Sequence, residues 1–552
     1  MCMTILVGRH ASAYGDVLVG HNEDAPGRFV MQTHLVKKKH RHPGTMAAFE
    51  LGLSELELCD TRTNLFWSEA TTYNPDPSVS SFCDLYVNGN GVVICSNNCA
   101  ESREDSPELT DGGIGYGLRR LVAEKAHDAR EALEIACGLV DKYGYASSGR
   151  SYAFADKDEI FVMQIVHGKH YAVARVPDDE VAVIPNHYTI HDPDKTAPGY
   201  KELVNYAAGR GWFKPEEGMF DFARAYQSPE SWGLDKNTYR HIKAFEILLD
   251  MDLSELKGTI WQGLPFSIKP SRKVTIDTLK TILRSHEDEP HFHKPLTICN
   301  TETLESTIVK IRDNPDRITV RKALGRPCYS PYLVWYLDML AAPEGYEDTE
   351  PEEALAQHFK LPPEAMDWHN NAWFRTMEVQ AACEMLADEK EEAVCAKIAT
   401  FEEEEERELA EIDRQIELSL RSKPYIARAM MEGAMMKWAQ GVADLMKALR
   451  KELELDLIAG EALTPIIPGQ TFKVRLHGAI PADFDTAKCI CGPSYAEYSA
   501  WSKCSGTDDW CLEFSGGEWL EDAVPCFTDL YMMLVGRDGT KHAGCVRARV
   551  RV

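Results

Sequence analysis

The second residue of this 552-residue chain is a cysteine, directly behind the initiator methionine. Methionine aminopeptidase removes Met1 when the next side chain is small, and cysteine is small. Removal leaves Cys2 with a thiol and a free α-amine on one residue. A thiolate is a strong nucleophile. An α-amine has an ordinary pKa of about 7.7–8.0, so it takes up and returns a proton near neutral pH. One residue then supplies both nucleophile and base, with no separate histidine. A dense polar cluster follows at His21-Asn22-Glu23-Asp24. A carboxylate there can hold an ammonium and tune its pKa. On spacing alone the cluster reads equally as a site or as a solvated strand end.

The elements that must position these residues are legible in outline. Cys2 opens the apolar run CMTILVG, a turn-like stretch covers His10 to Asp16, and VLVGHNEDAP is a second apolar run. Two strands joined by a short polar turn predict a hairpin. Its geometry brings the polar end of the second strand towards the start of the first. Farther on, Leu118, Leu121, Val122, Ala126, Ala129, Leu133, Ala136 and Val140 recur at helical spacing. Asp128 followed by Glu131 resembles a capping box, which predicts two consecutive helices, with Gly144 as the stop. SYAFA, IFVMQIV, KHYAVARV and EVAVI, separated by tight polar turns, predict an antiparallel meander. Such sheets with helices outside make a layered α+β domain. Residues 191–345 mix short helices, loops and strands, and 350–458 read as mostly helical and charge-rich. From Thr464 the pattern changes again: Pro465, Pro468 and Gly469 break the helix, and TFKVRLHG, DWCLEFS, DLYMMLVG and CVRARVRV read as strands, with a hairpin turn at 537–540.

The opening CMTILVG…GHNED, followed in order by NGNGVVICSNN (88–98), the helical block 118–144, VAVIPNHYTI (181–190) and ALGRPCYSPY (323–332), resembles the dipeptidase family of N-terminal-nucleophile cysteine peptidases. The resemblance runs over roughly the first 450 residues. It implies the four-layer αββα sandwich of N-terminal-nucleophile hydrolases; the helical region and the small C-terminal β domain are read from the sequence pattern, and the family does not usually carry the latter. The domains expected are 2–345 for the hydrolase, 350–460 for the helical region packed on it, and 464–552 for the β domain. The activity implied is hydrolysis of dipeptides through a thioester at Cys2, with its α-amine as proton shuttle. The alternatives are an amidase for another small N-acyl substrate, or a non-catalytic interaction protein of the secernin kind.

The resemblance also implies roles. Asp24 matches an aspartate that contacts the nucleophile and its amine, and Asn98 an asparagine of the oxyanion hole. Asn186 matches a second asparagine near the nucleophile, and Arg240, in NTYRHIKAF, an arginine that supports the site electrostatically. His21 and Asn22 are assigned to substrate binding. Each has a bland alternative: Asn98 as a turn residue, Asn186 as a strand-end cap, Arg240 as a surface helix charge. His21 stands where many relatives have arginine, and histidine carries full charge only below a pKa of about 6.5.

Composition limits the partners. A formal charge of −27 argues against nucleic acid or an anionic membrane. No stretch approaches the roughly 20 apolar residues that span a bilayer, and no signal peptide is evident. A cytoplasmic homo-oligomer acting on small peptides is expected. Sixteen cysteines lack both secreted-domain spacing and a paired CxxC motif, so most read as buried thiols. Neither the C-terminal group from Cys489 to Cys545 nor His286, His291 and His293 has the spacing of a common zinc site, so no metal or other cofactor is expected. The five glutamates Glu402 to Glu406 read as a solvated helix face.

Overall fold

The computed structural model describes residues 2–550, apart from 26–28, 48–53, 59, 61–63, 74–78, 84, 100–101, 104–108, 116, 233–234, 257–263, 287–296, 301, 338, 340, 348–370, 384–387, 454–456, 465–466, 468–469, 478–489, 493–495, 508, 515–525 and 538–540. The strands begin with β1 (Met3–Val7), β2 (Val17–Asp24), β3 (Val30–Val36), β4 (Met46–Ala47), β5 (Leu56–Glu57), β6 (Leu65–Tyr73), β7 (Val79–Phe82), β8 (Leu85–Asn88) and β9 (Val93–Asn98). They continue with β10 (Arg150–Ala155), β11 (Ile160–Ile165), β12 (Tyr171–Arg175), β13 (Val181–Ile184), β14 (Ser267–Ile268), β15 (Thr303–Ile311), β16 (Thr319–Leu324) and β17 (Leu333–Tyr336). The helices are α1 (Leu118–Lys125), α2 (Ala129–Tyr143), α3 (Tyr200–Gly209), α4 (Phe222–Tyr226), α5 (Asp235–Leu249), α6 (Ile276–Leu283), α7 (Ala372–Cys383), α8 (Asp388–Leu420) and α9 (Pro424–Glu452).

Two antiparallel sheets dominate. One has seven strands in the order β14-β13-β1-β2-β15-β16-β17; the other has eight, with the path β12-β11-β10-β9-β8-β6-β3 and β7 on β6. The period of two along each strand sorts residues to opposite faces. Cys95, Ala153, Ala155, Val162 and Ala172 of the eight-stranded sheet share a core with β1, β2 and β15. The alternate residues Ile94, Tyr152, Phe154, Phe161 and Met163 pack with Leu118, Leu121, Val122, Ala136 and Val140 of α1 and α2. Small side chains face the opposite sheet and aromatic ones face the helices. Both faces of each sheet are covered, which is why these strands read as nearly continuous apolar runs. On the other sheet, Gly20 of β2 leaves room for α6: an added Cβ would stand 3.2 Å from Leu283.

The hairpin forms as expected, with β1 antiparallel to β2 and Met3 opposite Asn22. The two helices also form, and Asp128 caps α2 by accepting from the Glu131 N–H. The meander is shorter than its sequence implies. β10, β11 and β12 continue from β9, but β13 leaves and pairs with β1 in the other sheet. Alternation in EVAVI fits either partner, so only the tertiary fold decides it.

Only part of the glutamate run, Glu403 and Glu404, is a solvated face. Glu402 and Glu405 are both 3% exposed. Strand β17 ends its sheet, and α8 lies along that edge. Glu402 accepts from the Tyr332 N–H at 2.8 Å, and Glu405 accepts from the Val334 N–H at 3.1 Å. Carboxylates thus satisfy edge donors that would otherwise invite pairing with another chain. Glu402 also pairs with Arg284 at 2.6 Å and Lys280 at 3.1 Å, and Glu406 with Arg321 at 2.5 Å. Among the described residues no cation stands so close to Glu405, and burial pushes its carboxyl up to about 8.

After α9, seven strands close into a barrel in the order β18-β19-β22-β21-β20-β23-β24. They are β18 (Leu457–Ala462), β19 (Phe472–Leu476), β20 (Ile490–Gly492), β21 (Ala496–Lys503), β22 (Trp510–Phe514), β23 (Cys526–Val535) and β24 (Lys541–Val550). The barrel starts at Leu457, ahead of the expected boundary at Thr464, because β18 is parallel to β24 and carries no local turn signal. The turn proposed at 537–540 lies largely outside the described residues. Among the described residues, no helix is long and apolar enough to cross a membrane.

Candidate active site

Strand β1 lies at the centre of its sheet, between β13 and β2. Thr4 stands opposite Ile184 on one side and opposite His21 on the other. Running these registers back two residues along β1 and on along its neighbours brings Asn186 and Glu23 to either side of Cys2. The Cys2 side chain is buried, with its thiol 3.8 Å from the Asp24 carbonyl. Burial raises the thiol pKa; the positive chain terminus opposes this, and the Asp24 and Glu23 carboxylates add to it. The resting thiol therefore keeps its proton and needs a base to become a nucleophile.

Arg240, on α5, is wholly buried and ties the segments together. It donates to the Cys2 carbonyl at 3.3 Å and to Asn186 Oδ1 at 2.6 Å, and stands 3.8 Å from the Asp24 carboxylate. Asn186 in turn donates from Nδ2 to the Asn98 carbonyl at 2.7 Å. A continuous hydrogen-bonded path thus runs from Cys2 through Arg240 and Asn186 to the end of β9 in the opposite sheet. Cys2, Asp24, Asn98, Asn186 and Arg240 are brought together although they lie on five separate segments. The Asn98 side chain is half-buried, and its Oδ1 accepts from Ser148 at 3.1 Å. That bond occupies the amide oxygen and leaves the N–H₂ as an uncharged donor.

Asp24 is oriented by two residues that carry no sequence signal. Thr303 donates to its Oδ1 at 2.7 Å, and Asn300 to its Oδ2 at 2.9 Å. Both lie in TICNTET, at the entry to β15, where neither spacing nor composition marks a site. Burial raises the Asp24 carboxyl to about 6, against the lowering by the chain terminus, Arg240, Thr303 and Asn300. Its ordinary value is about 3.9.

His21 and Asn22 do not share a role. Side chains alternate along β2, so Gly20 and Asn22 face α6 while His21 and Glu23 face the opposite sheet. The Asn22 amide donates to the carbonyls of Leu283 at 2.9 Å and Ile298 at 3.1 Å, and its side chain is completely buried. It caps the end of α6 and is not placed to bind a substrate, which corrects the expectation for it. His21, on the inner face, is buried beside Thr4 at 2.8 Å. Burial, then Lys322 and Arg119, lowers its pKa to about 3, so the ring is neutral and offers no cation. Glu23 was not among the candidates, although it belongs to the same tetrapeptide. Among the described residues, no group of three His, Cys, Asp or Glu side chains is disposed to hold a metal. His291, His293 and Cys489 lie outside them.

Residues 1–362 match the model of peptidase family C69. A probable dipeptidase of Latilactobacillus sakei is 23% identical over 387 residues, covering 65% of this chain and 79% of its own. A probable dipeptidase B of Lactococcus lactis is 24% identical over 388 residues, covering 64% and 77%. Among solved structures, a mutant conjugated bile acid hydrolase from Clostridium perfringens aligns at 12% identity over 59% of this chain and 89% of its own, with a TM-score of 0.32.

Proposed function

The chain belongs to peptidase family C69, and from that premise we propose that it is a cysteine-type dipeptidase whose nucleophile is Cys2, freed by removal of Met1. The reading is supported most directly by the hydrogen-bonded path from the Cys2 carbonyl through Arg240 and Asn186 to Asn98, with Asp24 beside it. The Cys2 α-amine takes the thiol proton, and the thiolate attacks the peptide carbonyl carbon. The carbonyl oxygen becomes an oxyanion facing the Asn98 amide N–H₂. The ammonium then returns its proton to the nitrogen of the second residue, the C–N bond breaks, and a thioester remains on Cys2. Water, deprotonated by the same amine, attacks the thioester and releases the first residue with a new carboxylate. Asp24 holds the ammonium in place between these transfers. Arg240 fixes Asn186 and the Cys2 main chain, so the nucleophile and the oxyanion donor keep their separation.

The fold that serves this chemistry is read as an αββα sandwich. Its support is the shared core between the two sheets, with α1 and α2 outside one and α6 outside the other. In this reading residues 2–345 carry the chemistry, the helices up to Glu452 buttress it, and the C-terminal barrel is a separate unit.

The test is direct. Intact-mass measurement on the purified protein should show Met1 absent, and the protein should release free amino acids from a panel of dipeptides. A protein lacking Met1 that cleaves no member of a broad panel refutes the reading.

A further inference from the structure

The C-terminal barrel carries a pair of thiols that the proposed mechanism does not use. Strands β21 and β22 are antiparallel, with Ser502 opposite Cys511 and Lys503 opposite Trp510. The chain turns just beyond them. The Cys504 N–H donates to the Asp509 carbonyl at 2.8 Å, and Gly506 takes a positive φ of 81° in the turn. Side chains alternate along a strand, so Cys504 shares a face with Ser502, and Cys511 lies diagonally across from it on that face. The Cys504 thiol donates to the Cys511 sulfur at 3.3 Å.

Proximity and access together set this pair apart. Both side chains are half-buried, so a small solute reaches them. Among the other described cysteines only Cys395 is as open, and the rest are buried. The contact between Cys299 and Cys328, at 3.7 Å, is buried on both sides. Charge favours ionisation at Cys511 in particular. Arg475 stands opposite it on β19, and Lys473, paired with Glu513, lies two residues away. Burial and then Cys504 raise the Cys511 pKa, and Arg475 and Lys473 lower it. Two thiols in contact ionise one at a time. A thiolate on Cys511 keeps the Cys504 S–H as its donor, which leaves one sulfur to attack and the other to follow. A metal is a poorer occupant, because structural zinc takes four ligands and no third His, Cys, Asp or Glu among the described residues joins the pair.

We propose that Cys504 and Cys511 are a redox-active dithiol, which a hydroperoxide oxidises to a disulfide across the end of the β21–β22 hairpin. The Cys511 thiolate attacks one peroxide oxygen. The S–O bond forms, the O–O bond breaks, and the departing hydroxide takes the proton that Cys511 gave up and leaves as water. Cys504 then attacks the sulfur of the resulting sulfenic acid. The S–S bond forms, the S–O bond breaks, and the hydroxide leaves as a second water with the Cys504 proton. Two thiols lose two electrons, and one hydrogen peroxide gains them. A disulfide sets its sulfurs about 2.05 Å apart, so closure from 3.3 Å needs an approach of about 1.25 Å, within reach of rotation about the two side chains. An excess of a small thiol reverses the bond by exchange. The bond ties β21 to β22 and removes freedom from the hairpin end. It lies in the barrel and does not depend on the dipeptidase reading.

The test uses the reduced full chain, treated with hydrogen peroxide, alkylated with iodoacetamide at intervals and digested without reduction. Cys504 and Cys511 should lose alkylation together, at least about tenfold sooner than the buried cysteines. The tryptic peptide from Cys504 to Arg537 should become lighter by two hydrogens, and dithiothreitol should restore both alkylation sites. That peptide also holds Cys526, so Cys526→Ser should keep the bridge. Cys504→Ser should lose it and leave Cys511 as a sulfenic acid that dimedone traps, with thermal melting to verify the fold. The readout is peptide mass, so neither dipeptide turnover nor oxidation of Cys2 enters it. Two thiols alkylated as fast after peroxide as before overturn the proposal. So does a bridge that joins either of them to Cys526 instead.

Discussion

Asp24→Asn should separate catalysis from stability, because the same carboxylate works in opposite directions on the two. Burial raises the Asp24 carboxyl to about 6 from an ordinary value near 3.9. The sign follows from linkage. A group whose pKa is higher in the folded state favours folding in its protonated form, so its contribution is full below about pH 3.9 and is lost as pH rises through about 6. A shift of about 2 units makes the ionised Asp24 unfavourable to folding by about 3 kcal/mol near neutral pH. Asparagine removes that cost. It also sets an N–H₂ against the Asn300 or Thr303 donors, and one badly paired buried donor costs about 1–3 kcal/mol. The two effects nearly offset, so the melting temperature should move by only a few degrees. Catalysis has no such compensation. Loss of the charge that holds the Cys2 ammonium should lower kcat by about 100-fold or more, the scale of positioned proton transfer. The pH profile gives a second readout. Wild-type activity needs the carboxylate and should rise with pH up to about 6, whereas Asp24→Asn should lose that acid limb. Steady-state kinetics from pH 4.5 to 8, with thermal melts at each pH, would measure both. A mutant that loses stability in proportion to activity, or that keeps the acid limb unshifted, refutes this account.

Cys2→Ala should abolish turnover with little change in melting temperature, and Cys2→Ser should retain a trace, since a hydroxyl is far less ionised near neutral pH; full activity of Cys2→Ala in a dipeptide assay would remove Cys2 from the mechanism. Activity should survive EDTA and fall with iodoacetamide; inactivation by the chelator that zinc reverses would require a metal site. A chain ending after Leu453, before β18, should still hydrolyse dipeptides, and size-exclusion chromatography would show whether the barrel builds an oligomer; a folded, inactive fragment would make the barrel part of the site. Glu402→Ala should destabilise the fold by about 3–5 kcal/mol in urea unfolding, because Arg284, Lys280 and the Tyr332 N–H lose a buried partner; a loss under about 1 kcal/mol would mean that water replaces the carboxylate.

Local rules were enough for some of this protein. The Cys2 start, the hairpin up to Asp24 and the capped helix after Asp128 depend on neighbours within about twenty residues, so periodicity and turn chemistry revealed them. The family resemblance added Asn98, Asn186 and Arg240 as candidates, but neither it nor their spacing could put them in contact. Arg240 meets Asn186 from 54 positions away and Cys2 from 238, across segments whose intervening chain gives no constraint on distance. Asn22 and Glu23 show the same limit at close range. Adjacent residues on a strand face opposite ways, and which face meets the helices is set by what packs there. The glutamates of α8 look like a water-facing row because their partners, Arg284, Lys280, Arg321 and the edge of β17, come from other elements. The state of His21 depends on the opposite sheet as well: a carbonyl on β13 orients Asn97, Asn97 fixes the Thr4 proton, and that proton decides which nitrogen of the ring is free to accept. Sequence determines which groups a chain carries and the period at which they recur. Burial, pairing and protonation belong to contacts between distant segments, and those exist only once the sheets have packed.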